Sequence, residues 1–265
     1  MSEKIHLLEE KIKNREPIIG ASSTMTDSII TEALADDGYD FIWIDMEHSF
    51  LDKRDILLHI MATRGTNAAA FVRVAWNDPV LVKPILEMDP DGIIFPFIKT
   101  PDDAKKAVDA CTYPPKGIRG FGPMRSNKYG LIEGQKYIRE SYSRFWTIMQ
   151  IEHVEGVNNL ESILRVEGVD AILVGPNDLS GSIGFLNQTK HPDVIKLMDQ
   201  IGQVASKSGK PFGAVVGNDC EVAREWLKRG AHMIRVAPDM GLLQKSAREV
   251  FSNMYKVFTE ERKNG

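Results

Sequence analysis

The side chains able to do chemistry gather at the ends of apolar runs. Asp45, Glu47 and His48 close the run FIWIDMEH, and Arg73 sits within AAFVRVA. Gln150 and Glu152 end FWTIMQIE, while Gly175, Pro176, Asn177 and Asp178 belong to AILVGPNDL. Charged groups beside an apolar core are costly unless paired or bound. Neighbouring parallel strands lie ~4.8 Å apart, so carboxylates at matching heights on two of them can share one cation. Glu152 and Asp178 suit that arrangement. Oxygen ligands without cysteine point to Mg2+, Mn2+ or Co2+ rather than structural zinc, and leave positions open for water and substrate. The alternative is that both are helix-cap carboxylates, Asp178 above all.

Arg73 alternates onto the same face as Phe71 and Ala75. An inward arginine needs an anion. That anion is a substrate carboxylate or enolate oxygen, or else Asp45 or Glu47 in a structural ion pair. His48 has the chemistry of a general base near neutral pH, with Asp45 as its orienting carboxylate; a satisfied structural histidine is the competing reading.

These residues need elements that bring them together. Apolar β-type runs at 17–23, 41–48, 69–75, 92–98, 145–152, 171–179, 211–217 and 232–237 alternate with helical patterns. Thr26 is the expected cap of the first helix after a strand, and Asp78-Pro79 and Thr100-Pro101 open later ones. Other helices are expected over 157–166, 192–208 and 221–229. Strict alternation predicts an α/β fold, a (β/α)8 TIM barrel, as a single domain over residues 1–265. No GxGxxG turn follows the first strand, which argues against a dinucleotide-binding sheet. A helical stretch precedes the barrel and a long helix ends it. In such barrels catalytic groups stand at the C-terminal ends of strands, where all the residues above fall. The Pro-, Gly- and Arg-rich segment 113–144, between strands four and five, is expected to cover or build the site.

The chain has 265 residues, 43% hydrophobic and 26% charged, with a net charge of −4. Lysine and arginine form no stripe, so nucleic acid is not an expected partner. No apolar run is long enough for a membrane span, and the amphipathic start lacks a signal peptide's apolar core. A cytoplasmic location is expected. Cys111 and Cys220 show no metal spacing and are expected to be reduced and structural. His153 should face away from Glu152, because strand side chains alternate. His6, His59, His191 and His232 are expected to be remote from the mouth. Lys99, a conceivable Schiff-base lysine, belongs to a loop.

WIDMEHS, FVRVAWNDP, DGIIFPFIKTPDDA, YPPKGIRGFGP, QIEHVEGVNNLESIL and GVDAILVGPNDLSGSIG together resemble the HpcH/HpaI aldolase family. The similarity spans about residues 18–243. It is nearest the class II, metal-dependent pyruvate aldolases of 2-dehydro-3-deoxyglucarate or 4-hydroxy-2-oxo acids. The resemblance implies that Glu152 and Asp178 hold the metal, and that Arg73 binds the keto oxygen. It implies that His48 and Asp45 form the base dyad, that Gln150 lines the pocket, and that amides around Asn177 and Asp178 receive a carboxylate. It further implies a homotrimer or hexamer, in which the final helix exchanges between subunits. Departures fall at Phe50, expected to narrow the aldehyde pocket, and at Glu87–Asp91, near the second substrate.

The resulting expectation is a carbon–carbon lyase. It cleaves or forms a 4-hydroxy-2-oxo acid, giving pyruvate and an aldehyde through a metal-stabilised enolate. Oxaloacetate decarboxylation on the same site, and a non-catalytic barrel binding an oxo acid, are the alternatives.

Overall fold

Eight short runs of β-branched and aromatic residues pair in sequence order until the last meets the first. The computed structural model describes residues 2–264. Helix α1 (Glu3–Asn14) precedes β1 (Ile18–Ser23), α2 (Ile29–Asp36), β2 (Phe41–Asp45) and α3 (Lys53–Ala62). Next come β3 (Ala69–Arg73), α4 (Pro79–Leu86), β4 (Gly92–Phe95), α5 (Pro101–Cys111), α6 (Gly134–Glu140) and β5 (Trp146–Ile151). Two short helices, α7 (Val154–Asn158) and α8 (Leu160–Leu164), lead to β6 (Ala171–Val174) and α9 (Pro176–Gly181). The chain ends with α10 (Pro192–Ser208), β7 (Phe212–Val215), α11 (Cys220–Lys228), β8 (Met233–Pro238) and α12 (Asp239–Asn264). All pairings are parallel and β8 closes on β1, giving the (β/α)8 barrel that the alternation predicts.

Side chains alternate across each strand. Ile18, Phe41, Trp43, Phe71, Ile148, Leu173 and Met233 fill the barrel interior. The opposite faces, such as Ile42, Val72, Ile93 and Val174, pack beneath the helices. Helix starts follow local chemistry. Asp52 with Asp55 and Thr100 with Asp103 form reciprocal capping boxes at α3 and α5, and Asp78 caps α4 ahead of Pro79. At α2 the expected cap is displaced. The helix starts at Ile29, and the Asp27 carboxylate, not Thr26, accepts the Ile29 N–H at 3.0 Å. The helix expected over 157–166 is instead the pair α7 and α8.

The segment 113–144 does not build the mouth. Helix α5 intervenes after β4, so the chain has already reversed and the segment joins α5 to β5 at the N-terminal face. It is pinned to the α4–β4 connection. Buried Arg119 donates to Glu87 at 3.0 Å and to the Tyr137 hydroxyl at 3.0 Å, and Ser126 donates to Glu87 at 2.9 Å. Glu87 therefore anchors this segment within its own chain.

Among the described residues no helix is long and apolar enough to cross a membrane. Cys111 is buried, which pushes its thiol up to about 12, whereas Cys220 is exposed. The thiolate is the reactive form. A thiol reagent should therefore label Cys220 alone in the native protein and both cysteines after denaturation; native labelling of Cys111 would contradict the packing around α5.

Candidate active site

Strand register decides which polar groups meet. Asp45 and Arg73 are partners at the ends of β2 and β3. Arg73 donates through Nε to Asp45 Oδ1 at 3.0 Å and through Nη2 to Oδ2 at 2.5 Å. Its Nη1 lies 2.7 Å from Glu47 Oε2, yet that oxygen has no well-aligned donor, so the contact is a charge pairing rather than a directed hydrogen bond. N–H donors on Nη1 and Nη2 stay unused. Asp45 also accepts the backbone N–H groups of Glu47 at 2.9 Å and His48 at 3.3 Å. Burial pushes the Asp45 carboxyl up, but hydrogen bonds and charge from Arg73 outweigh it and hold the group below its ordinary value.

Asp45 thus holds Arg73 and the backbone of the 45–48 turn. No hydrogen bond between the His48 ring and Asp45 is present among the described residues. The His48 ring is exposed, and its Nε2 lies 3.8 Å from Glu47. Glu47, rather than Asp45, is the carboxylate beside it.

Glu152 stands one residue past β5 and is 1% exposed. Its Oε1 accepts the Phe97 N–H at 2.8 Å, and its Oε2 accepts from the Gln150 amide. Phe97 has a φ of 53°, a left-handed conformation that costs an L-residue about 1–2 kcal/mol. That strained residue aims its N–H at Glu152. Burial first, then the charges of Glu47 and Asp178, push the Glu152 carboxyl up to about 8. Burial likewise raises Glu47, with Arg73 opposing, and Asp178 adds to the rise.

Asp178 sits in the first turn of α9, which has no side-chain cap, so the N–H groups of Asn177 and Asp178 are uncommitted. Gly175, opposite Glu152, is required by space. A Cβ there would lie 2.6 Å from Glu152 Oε2 and 3.0 Å from Glu152 Cβ. Gly175→Ala should displace the carboxylate and lower kcat/KM by roughly 100-fold, the scale expected of an ångström-sized misplacement. Its melting temperature should fall by only a few degrees, the scale of one overpacked contact; an unaffected rate would remove Glu152 from the site.

Above these groups lies a cavity of about 250 Å3 lined by Asp45, His48, Arg73, Gln150 and the Gly175–Asp178 segment. Trp43, Thr24, Val215, Arg235 and Pro238 complete it. No lysine lines it among the described residues, and Lys99 is outside it. His153 points elsewhere: its ring caps α7 by accepting the Glu155 N–H at 3.1 Å. His59 is buried away from the cavity, bonded to Thr31 at 2.7 Å. Phe50 is 95% exposed and does not narrow the cavity.

Among the described residues no three His, Cys, Asp or Glu side chains converge as a ready-made metal site, so any ion here would rest on two carboxylates with other oxygens completing its shell. Glu47, Glu152 and Asp178 each raise the cost of charging another. Glu47 Oε2 and Gln150 Oε1 are buried oxygens without a hydrogen-bond partner. Oxygens of this kind are the donor type that a hard cation takes. Sequence reasoning named Glu47 as a partner of Arg73 but missed it as the neighbour of His48, and missed the Phe97 amide on Glu152 and Arg235 in the cavity lining. Position at a strand end flagged Glu47. An inward arginine in HMIRVA was the available signal for Arg235.

A family profile, HpcH/HpaI aldolase/citrate lyase, matches residues 22–246. The chain belongs to that family. It is 36% identical over 239 residues to a 5-keto-4-deoxy-D-glucarate aldolase of Escherichia coli O6:H1, covering 90% of this chain and 92% of that protein. An HpcH/HpaI aldolase/citrate lyase family protein of Burkholderia cenocepacia J2315 superposes with a TM-score of 0.89 at 32% identity, covering 94% of this chain and 99% of that one. The citrate synthase SbnG does so at 0.84 and 26%, covering 97% and 99%. The family comprises carbon–carbon lyases, and the chain is an enzyme of that class.

Proposed function

We propose that this lyase cleaves, or in reverse forms, a 4-hydroxy-2-oxo acid, giving pyruvate and an aldehyde with the help of a divalent cation. The observation that carries the reading is buried Glu152, raised by its neighbours Glu47 and Asp178, beside a cavity lined by Arg73 and Asp178. Glu152 and Asp178 would hold the ion. When bound, such an ion supplies Lewis-acid stabilisation of negative charge on oxygen.

The chain's own groups do the rest. The uncommitted N–H groups of Asn177 and Asp178 receive the substrate carboxylate, with Gly175 and Pro176 shaping that wall and Gln150 lining the floor. Arg73, held in place by Asp45, turns its unused N–H donors to the keto oxygen. His48, beside Glu47, takes the proton of the C4 hydroxyl. The C3–C4 bond breaks, the aldehyde leaves, and its bonding electrons remain on the three-carbon enolate. Arg73 stabilises that oxyanion. Protonation at C3 gives pyruvate.

Exchange of pyruvate methyl protons with deuterated water tests the enolate half directly. EDTA should abolish exchange, and Mg2+, Mn2+ or Co2+ should restore it. Borohydride with pyruvate should trap no covalent adduct. Exchange that survives EDTA would sink the metal reading.

The same proposal extends to assembly. From Leu243 on, α12 carries exposed apolar side chains, including Val250, Phe251, Met254 and Phe258. Such a stripe is suited to burial against another subunit. A trimer or hexamer with α12 exchanged between copies is expected by light scattering, and a monomer would refute it.

A further inference from the structure

The cavity contains a second guanidinium that the reaction described above does not use. Arg235 lies on the inward face of β8, level with Val215 of β7 and Gly20 of β1. It and Arg73 both lie against Trp43, with guanidinium carbons 5.5 and 4.9 Å from the ring centre. Their charges are balanced differently. Arg73 is paired with Asp45 and Glu47. Among the described residues Arg235 has no carboxylate within ion-pair distance; it donates to the Ser22 hydroxyl, and its buried Nε has no partner. Asp45 and Asp239 attract it only from beyond direct contact, and a cation largely withdrawn from water without a contacting anion is costly. Burial and the nearby Arg73, with Asp45 and Asp239 opposing, lower Arg235 to about 10, so it stays charged at neutral pH.

Position says which part of a ligand it would meet. Arg235, Val215 and Pro238 line both the mouth cavity and an adjoining one of about 730 Å3. Arg235 therefore stands where a substrate longer than pyruvate would extend. The carboxylate cluster and Arg73 take the oxo-acid end.

We propose that Arg235 is a specificity-determining residue, binding a second carboxylate at the aldehyde end of the substrate. The inference rests on the lyase reading above. The substrate class it selects is a dicarboxylic hydroxy-oxo acid. A neutral aldehyde leaves Arg235 without a contacting anion, and an acid pairs with it through charge-assisted hydrogen bonds.

The experiment couples pyruvate, with Mg2+ supplied, to 2-hydroxy-3-oxopropanoate or to glyceraldehyde, which has CH2OH in place of the carboxylate. The parent enzyme should favour the acid by about tenfold or more in kcat/KM, the scale of one charge-assisted contact. Arg235→Met should lose about 30-fold on the acid and no more than about threefold on glyceraldehyde, with Arg235→Lys recovering part of the preference. A purely structural arginine would produce equal losses on both aldehydes, and that result would overturn the inference. So would a parent enzyme indifferent to the carboxylate, whether or not the variants fold. Pyruvate proton exchange in the parent separates the two levels: exchange without acid preference overturns Arg235's role alone, and absent exchange overturns the lyase reading together with it.

Discussion

Glu152→Gln is expected to abolish tight divalent-metal binding and to lower kcat/KM by about a thousandfold or more, equivalent to about 4 kcal/mol of transition-state stabilisation. The substituted amide keeps the shape and can still accept the Phe97 N–H, with the Gln150 amide turned so that its free oxygen meets the new NH2. What the substitution loses is charge. The metal-free protein should not lose stability with it. The Glu152 carboxyl is raised from 4.5 to about 8. Between those values the folded chain holds a proton that the unfolded chain has released. Stability of the metal-free parent therefore falls as pH rises from about 4.5 through about 8. Glu152→Gln removes that slope, so at pH 8 and above the variant should match or exceed the metal-free parent. Urea midpoints across pH in EDTA measure this, and calorimetric Mg2+ titration measures the binding. In the parent, metal must displace the same proton, so affinity should climb with pH toward about 8. A variant that bound Mg2+ as tightly as the parent would remove Glu152 as a ligand.

The barrel was legible because its signals are local. Alternation along each strand, and capping pairs such as Thr100 with Asp103, need no distant partner to be read. Much of the site was legible for a related reason: the barrel rule places Asp45, Arg73, Glu152 and Asp178 at one end whatever their contacts. Contacts across the barrel were not legible. Whether Arg73 meets Asp45, Glu47 or only a substrate depends on register and rotamer, and the structure pairs it with both carboxylates. The near-neighbour of His48 depends on how the 45–48 turn folds over Asp45, which takes two backbone N–H groups from it. The side on which 113–144 falls depends on counting α5 as a reversal. Reading the segment as a connection between strands four and five overlooked that reversal.

Arg73→Lys separates the two readings of that arginine, because it keeps the charge and removes the fork. A lysine is a single point of charge. It cannot hold both Asp45 oxygens, approach Glu47 and still present N–H donors to an enolate oxygen. Pyruvate proton exchange should fall by about 100-fold or more, the scale of losing one oxyanion donor. Stability should fall much less than in Arg73→Ala, which strands two buried carboxylates and should cost about 3–5 kcal/mol. The acid limb provides a further check. Because Asp45 sits below its ordinary value in the fold, its stabilisation is present above the unfolded value near 3.8 and is lost as pH falls through the lower folded one. Weakening its partner raises that folded value, so Arg73→Lys should unfold at a higher pH than the parent. If Arg73→Lys kept exchange within about threefold while Arg73→Ala unfolded, the arginine would be a structural cation alone.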